Sequence, residues 1–112
     1  MVRYQDPLSL TFAALADPTR RRVLSRLSRR AASVSELAAT SRTSVEGMLK
    51  HLRVLKQASL IRTAKGGRVR HCGIAAAPMR SAAQYLDHFR TLWERRFDAL
   101  EELMKQLQQE ES

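Results

Sequence analysis

Several features that other protein classes require are scarce in this sequence. It contains a single cysteine, Cys72, so no disulfide can form within the chain, which fits a reducing cytoplasm. No apolar run approaches the roughly 20 residues of a membrane span, and the apolar stretch near the amino terminus is too short for a signal peptide. The 112 residues, 44% hydrophobic and 28% charged, therefore predict one globular domain.

The sequence also lacks the residue patterns of a catalytic or metal site. It has no Ser-His-Asp or Cys-His set in a recognisable setting, no phosphate-binding glycine loop and no ligand cluster. His51 and His71 have no partner at tight ligand spacing. The adjacent Asp87 and His88 would point about 100° apart on a helix, which makes them a poor pair. We therefore expect no enzyme activity, no metal and no cofactor.

Acidic residues are few: the sequence has 11 acidic and 20 basic residues. The net charge is therefore +9, and the pI is near 11.0. Sixteen of the basic residues are arginine, whose side chain suits bidentate contacts with phosphate and guanine. Up to Gly73 there are 15 basic and 4 acidic residues, and from Ile74 onward there are 5 and 7. This division favours polyanion binding by the first part and protein contact by the second, with a generally basic surface as the alternative.

Two helices are predicted in the first 30 residues. Pro7 begins the first, in which Leu8, Phe12 and Leu15 recur at helical spacing. A second helix should run from Pro18 to about Leu27, because Asp17 is a good N-cap and proline suits the first helical position. Its apolar residues should face inward and its arginines should lie mostly outside or at an edge: Val23, Leu24 and Leu27 inside, and Arg20, Arg21, Arg22 and Arg26 outside.

The next segment has the pattern of a helix-turn-helix. Ser33 and Glu36 form a capping box at the start of a short third helix, and Thr43 and Glu46 repeat that spacing before a fourth. Two short capped helices separated by a polar turn are what this motif requires. The fourth helix should have one apolar face and one polar face: Val45, Met48, Leu52 and Leu55 on the first, and Lys50, His51, Arg53 and Gln57 on the second.

A basic hairpin should follow the fourth helix. Leu60–Ala64 and Val69–Ile74 are predicted strands, with Gly66 and Gly67 at the tip as a two-residue hairpin turn prefers. The basic residues of this wing are Arg62, Lys65, Arg68 and Arg70.

From Pro78 to about Gln108 the sequence predicts one helix of roughly 45 Å. Its large apolar residues exceed what the preceding core can cover, and a second copy of the chain is the simplest partner. The apolar positions recur every three or four residues: Met79, Ala82, Leu86, Phe89, Trp93, Phe97, Leu100, Met104 and Leu107. The predicted fold is therefore mainly α with a small β-hairpin wing, a dimeric winged helix-turn-helix in a single domain 1–112, with the DNA-binding core and wing over 7–74 and the dimerisation helix over 78–108.

Several segments of the chain resemble ArsR-type winged-helix repressors. The resemblance covers about Leu8 to Met104 and is closest to the branch with an Ala-Asp-Pro-Thr-Arg-Arg signature, here residues 16–21, and without metal ligands. The third helix, where soft-metal sensors of the family have a cysteine pair, contains no cysteine here. The similar segments are LADPTRRRVLSRL, SVSELA, KHLRVLKQASLI, GGRVRHCGI and FRTLWERRFDALEELM.

The resemblance implies a homodimer built from the first and last helices, with one recognition helix, here Thr43 to Gln57, on each half-site of an inverted-repeat operator. It also implies repression that a signal relieves. Three residues depart from the family pattern: Gly47 stands where alanine is usual, Leu49 where serine is common, and Ser59 where glycine is familiar. These departures bear on the operator sequence and the affinity.

The candidate sites follow from these patterns. The expected DNA contacts are Ser44, Gly47, Lys50, His51, Arg53, Lys65, Arg68 and Arg70. The expected dimer interface comprises Leu8, Phe12, Leu86, Phe89, Trp93, Phe97, Leu100 and Met104.

Each candidate has a simpler alternative. The basic residues can form a solvated face, Ser44 can be an ordinary cap, and Gly47 can be merely tolerated. The aromatic residues of the last helix can frame a small-molecule pocket between protomers, and Cys72 is either a redox-reactive thiol or an ordinary strand residue. Two other functions are compatible with the sequence: a nonspecific architectural DNA-binding protein, and a protein-interaction module.

Overall fold

The computed structural model describes residues 5–66 and 69–111, apart from the side chains of Val69 and Arg70. It divides after Ala82 into two compact units. The elements in chain order are α1 (Pro7–Leu15), α2 (Pro18–Leu27), β1 (Ala32–Ser33), α3 (Val34–Thr40), α4 (Val45–Gln57), β2 (Ile61–Gly66), β3 (Val69–Ile74) and α5 (Ala77–Glu111). This mainly helical arrangement with a small antiparallel sheet confirms the predicted winged helix-turn-helix fold.

The first three helices begin where local capping chemistry predicts. The carboxylate of Asp6 accepts a hydrogen bond from the Ser9 amide at 2.8 Å at the start of α1. Asp17 does the same for Arg20 at 3.0 Å in α2, and the Ser33 hydroxyl accepts from the Glu36 amide at 3.1 Å in α3. Each cap satisfies an amide that the first helical turn leaves without a partner.

The start of α4 differs from the prediction by one residue. Its N-cap is Ser44, whose Oγ accepts from the Gly47 amide at 3.0 Å, and not Thr43. The apolar face is confirmed at Met48, Leu52 and Leu55, which are buried. Val45, predicted on that face, is 46% exposed because it is the first helical residue, where the core does not cover it.

The wing contains three strands where the sequence predicts two. β3 lies in the middle of the sheet. It pairs with β1, where Ala32 lies opposite Cys72, and its pairing with β2 extends from Ile61 opposite Ile74 to Gly66 opposite Val69. The two-residue β1 carries no periodicity of its own, and its pairing with β3 defines it. β2 extends to Gly66, so this glycine belongs to the strand and not to the predicted turn.

An apolar core joins the first four helices to the sheet. The predicted inner face of α2 is confirmed, and Cys72 is 1% exposed within this core, which favours the ordinary strand cysteine over a reactive thiol. The buried members of the core are Ala14, Val23, Leu24, Leu27, Ala32, Val34, Leu37, Ala38, Met48, Leu52, Leu55, Ala58, Leu60, Ile61 and Cys72.

The last helix is longer than predicted at both ends. At 1.5 Å per residue its 35 residues extend about 52 Å. Ala82 is buried, whereas every side chain from 83 to 111 is exposed. Within the described part of the chain, no helix combines the length and the apolar character needed to cross a membrane.

Candidate nucleic-acid interface

The turn between α3 and α4 is closed by backbone hydrogen bonds. The Thr43 amide donates to the Ala38 carbonyl at 3.1 Å, and the Arg42 amide donates to the Ala39 carbonyl at 3.3 Å. This is a Schellman motif, and Arg42 has the left-handed conformation that it requires, with φ 53°. The chain then enters the Ser44 cap directly. The turn is therefore short and polar, as the helix-turn-helix prediction requires.

Lys50 and Arg53 lie exposed on the outer face of α4. Within the described part of the structure, neither side chain forms a hydrogen bond or an ion pair. Two cations whose hydrogen-bonding groups the described residues leave unused are available to phosphates and to the acceptor atoms of base edges.

His51 occupies a different position from these two cations. It is half-buried, and its Nδ1 lies 3.4 Å from Nη1 of Arg20 and 3.7 Å from Oδ2 of Asp17. Its side chain therefore contacts the start of α2, although His51 was predicted on the same polar face as Lys50. Its contact with DNA stays a prediction.

Arg20 is half-buried, although its sequence position places it outside or at an edge. Its Nε donates to the Ala14 carbonyl at 2.8 Å and its Nη2 to the Ala13 carbonyl at 3.1 Å. These carbonyls belong to the last turn of α1, where Ala13 also accepts from the Ala16 amide at 3.2 Å. Sequence reasoning missed this role; the one local signal is that Arg20 follows the Asp17 cap in the Asp-Pro-Thr-Arg segment.

The pKa of Asp17 is lowered from its ordinary value of 3.8, chiefly by the hydrogen bond from the Arg20 amide. The charge of Arg20 lowers it further, while desolvation acts in the opposite direction. Asp17 is therefore a charged cap at neutral pH, set between α2 and the recognition helix.

Gly47 is packed against its own helix start. A Cβ at this position would lie 2.7 Å from Oγ1 of Thr43 and 3.2 Å from the capping Oγ of Ser44. Real Cβ atoms do not approach other atoms as closely as 2.7 Å. The absence of a side chain therefore has a local steric reason, which neither of the two predicted explanations included. Any contact between Gly47 and DNA stays a prediction.

Leu49, at the position where a serine is common, takes part in packing. It is half-buried against the core and lines a hollow of about 210 Å³ together with Leu52, Arg53, Lys56 and Thr63. This hollow lies between α4 and β2. The departure therefore adds apolar surface on the wing side of the recognition helix.

The wing presents basic positions on its two long strands. Arg62 and Lys65 are exposed on β2, and the register places Lys65 opposite Arg70. Arg68 lies outside the described residues, as does the side chain of Arg70, so the predicted shared face of these two arginines stays a prediction.

The candidate dimer residues of α5 are all exposed. The Trp93 and Phe97 rings stack at 5.9 Å between centroids, and these side chains are 51% and 61% exposed. In α1, Leu8 and Phe12 are half-buried. Among the described residues, no group of three His, Cys, Asp or Glu side chains is placed to hold a metal ion.

Comparisons with known proteins agree with this geometry. A family model described as "Helix-turn-helix domain" matches residues 15–64. A comparison with curated protein sequences gives no match.

Among solved structures, a crystal structure of an ArsR family transcriptional regulator is 45% identical with a TM-score of 0.74, covering 80% of this chain and 98% of the other. An ArsR-like transcriptional regulator from Rhodococcus sp. RHA1 is 32% identical with a TM-score of 0.69, covering 87% and 92%. A possible transcriptional regulator for arsenical resistance is 31% identical with a TM-score of 0.66, covering 77% and 85%.

These relatives are similar to this chain over most of their length, and the matched family model is that of a helix-turn-helix domain. The first two are transcriptional regulators, so the resemblance carries a DNA-binding function. The chain belongs to the ArsR family of winged helix-turn-helix transcriptional regulators.

Proposed function

We propose that this regulator is a homodimeric, sequence-specific repressor of the cytoplasm, from the branch of the family that has the signature at residues 16–21 and no metal ligands. The observation that carries this proposal is the exposed pair Lys50 and Arg53 on α4, whose donor groups have no partner among the residues that the structure describes. In the DNA complex α4 enters the major groove, where an arginine or lysine pairs with the two acceptors of guanine.

The other predicted contacts have supporting roles. Ser44 lies at the start of α4, where exposed backbone amides favour a phosphate, and the bare Cα of Gly47 permits close approach of the DNA backbone. The wing residues Lys65, Arg68 and Arg70 contact the flanking phosphates or the minor groove.

A second copy of the chain covers the exposed apolar side chains of α5. An isologous dimer presents two recognition helices related by a two-fold axis, which matches an inverted-repeat operator. Leu8 and Phe12 of α1 complete this interface.

The test is fluorescence anisotropy with DNA from the region upstream of the gene, in excess unrelated DNA. Wild-type protein should bind with two chains per site, and Lys50→Ala and Arg53→Ala should each weaken binding about tenfold or more while remaining folded. Arg29→Ala is the matched control, because Arg29 is an exposed arginine outside both the recognition helix and the wing. Full affinity in both α4 variants would overturn the groove assignment.

Salt provides an independent measurement. The logarithm of the affinity should fall with the logarithm of the salt concentration with a slope of about −0.9 per neutralised phosphate. Each wing variant that loses a phosphate contact should reduce that slope by about one such step. An affinity that does not respond to salt would contradict the proposal.

The competing function is a nonspecific architectural DNA-binding protein. The observation that favours it is Leu49, which brings an apolar side chain to a recognition-helix position where a hydroxyl is common. Complete loss of binding to unrelated competitor DNA would support this reading. A protein-interaction module is the other candidate, and a stable homodimer at micromolar concentration would count against it.

A further inference from the structure

The side chain of Arg20 connects three helices, α1, α2 and α4. It begins on α2, donates through Nε and Nη2 to the carbonyls of Ala14 and Ala13 at the end of α1, and points Nη1 at the Nδ1 atom of His51 on α4, 3.4 Å away. The guanidinium group is planar and rigid. Because two of its nitrogens are bound to α1, the direction of the third is determined before DNA arrives.

The contact between Arg20 and His51 bears on which nitrogen of the imidazole carries the hydrogen. Arginine can only donate, so Nδ1 of His51 must accept, and the neutral ring then has its hydrogen on Nε2. Asp17 would favour the opposite tautomer. Its Oδ2 is 3.7 Å from Nδ1, however, which is beyond a hydrogen bond, and it already accepts from the Arg20 amide at 3.0 Å.

Nε2 lies across the ring from Nδ1, on the side away from Arg20, and the His51 side chain is 27% exposed. We propose that Arg20 is a positioning residue for DNA binding: it holds the His51 imidazole so that the recognition helix presents Nε2–H as a fixed neutral donor to a phosphate or a base-edge acceptor. This inference rests on the proposed function, in which His51 contacts DNA. A side chain that is ordered before binding loses less entropy when the complex forms.

The first experiment compares Arg20→Lys with Arg21→Lys in the anisotropy assay. Arg21 is a matched control, since its Nη1 also donates to a carbonyl at the end of α1, that of Leu15, at 2.8 Å. Both variants keep the charge and disturb hydrogen bonds to α1, two for Arg20 and one for Arg21, but only Arg20→Lys loses the contact with His51. We expect about a tenfold loss of DNA affinity for Arg20→Lys and less than about a twofold loss for Arg21→Lys.

The second experiment asks whether Arg20 acts through His51. In a His51→Ala background, Arg20→Lys should produce no further loss of affinity, because the group that it positions is gone. An equal loss in both backgrounds would show that Arg20 acts independently of His51, and this would overturn the proposal.

A third comparison leaves Arg20 and its hydrogen bonds to α1 unchanged. The amide nitrogen of glutamine can take the place of Nε2, whereas that of asparagine lies near Nδ1. His51→Gln should keep most of the DNA affinity and His51→Asn should lose it. The reverse order would contradict the outward Nε2–H donor.

The tautomer itself can be measured on the full chain by ¹⁵N NMR of the histidine side chains. Wild type and Arg21→Lys should show hydrogen on Nε2 of His51, and Arg20→Lys should show a mixture. Hydrogen on Nδ1 in the wild type would overturn the proposal. If His51→Ala binds DNA as the wild type does, the placement of His51 at the DNA fails and the proposal with it. If His51→Ala weakens binding and Arg20→Lys does not, only the positioning role of Arg20 fails.

Discussion

The amide of Leu60 donates a hydrogen bond to the carbonyl of Leu55 at 3.0 Å, and this bond closes the carboxyl end of the recognition helix. The Ser59 amide bonds to the Lys56 carbonyl at 3.0 Å, which completes a Schellman motif. Ser59 has φ 59°, a conformation that glycine adopts without strain and serine does not. The motif directs the chain from α4 into β2, so the strain lies between the recognition helix and the wing.

Ser59→Gly should therefore stabilise the protein by about 0.5–1 kcal/mol, because it removes the left-handed strain at some cost in the entropy of the unfolded chain. The measurement is the free energy of unfolding from urea titration. Ser59→Ala is the control, since alanine keeps the strain and lacks only the hydroxyl. Equal stabilities for the glycine and alanine variants would contradict strain at this residue.

Gly47→Ala should destabilise the protein by about 1 kcal/mol, although alanine in a helix is ordinarily favoured over glycine by a similar amount. The reason is the 2.7 Å approach of the new Cβ to Oγ1 of Thr43. Urea titration of a double-mutant cycle with Thr43→Ala checks this explanation. Thr43→Ala removes the opposing oxygen, so Gly47→Ala should become neutral or stabilising in that background. A cost that is unchanged by Thr43→Ala would place the clash elsewhere.

Leu100→Glu should shift the protein from dimer to monomer and weaken operator binding, because it puts a charge on the apolar face of α5. Leu100 is 55% exposed in the single chain, so the folded monomer should tolerate the change. Sedimentation velocity measures the assembly state. Thr91→Glu adds the same charge nine residues earlier, on the opposite side of a helix with 3.6 residues per turn. A dimer that persists in Leu100→Glu would contradict the α5 interface.

The stability at acidic pH should depend on Asp17. Its pKa is lower in the folded protein than the ordinary 3.8, chiefly through the Arg20 amide, so its charged form stabilises the fold above the unfolded pKa. That contribution is lost as the pH falls through the folded pKa. Asp17→Asn keeps a capping oxygen but does not titrate, so its stability should fall less steeply below about pH 4 than that of the wild type.

The measurement is the urea midpoint as a function of pH. Asp98→Asn, at an exposed aspartate within α5, is the control and should leave the acid dependence of the wild type in place. Parallel curves for wild type and Asp17→Asn would contradict the role of this cap.

Two features of the fold, the N-cap of α4 and the strand β1, could not be predicted because the local sequence supports more than one outcome. Thr43 and Ser44 are both good N-caps, and each has a spacing that permits capping. The outcome depends on the end of α3, where the Thr43 amide is already bound to the Ala38 carbonyl. Likewise, β1 exists because β3 pairs with Ala32 and Ser33, a partner that lies about 40 residues further along the chain.

The sequence by itself determined the features that depend on neighbouring residues. Asp6 and Asp17 before proline determine two helix starts, the spacing of Met48, Leu52 and Leu55 determines the buried face of α4, and the arginine content determines the basic character of the DNA-binding unit. The tertiary structure alone decided that Arg20 meets His51. These residues are 31 positions apart, and neither spacing nor capping chemistry connects them. They meet because α1, α2 and α4 pack on one core, which brings the last carbonyls of α1, the Arg20 guanidinium and the recognition helix to one place.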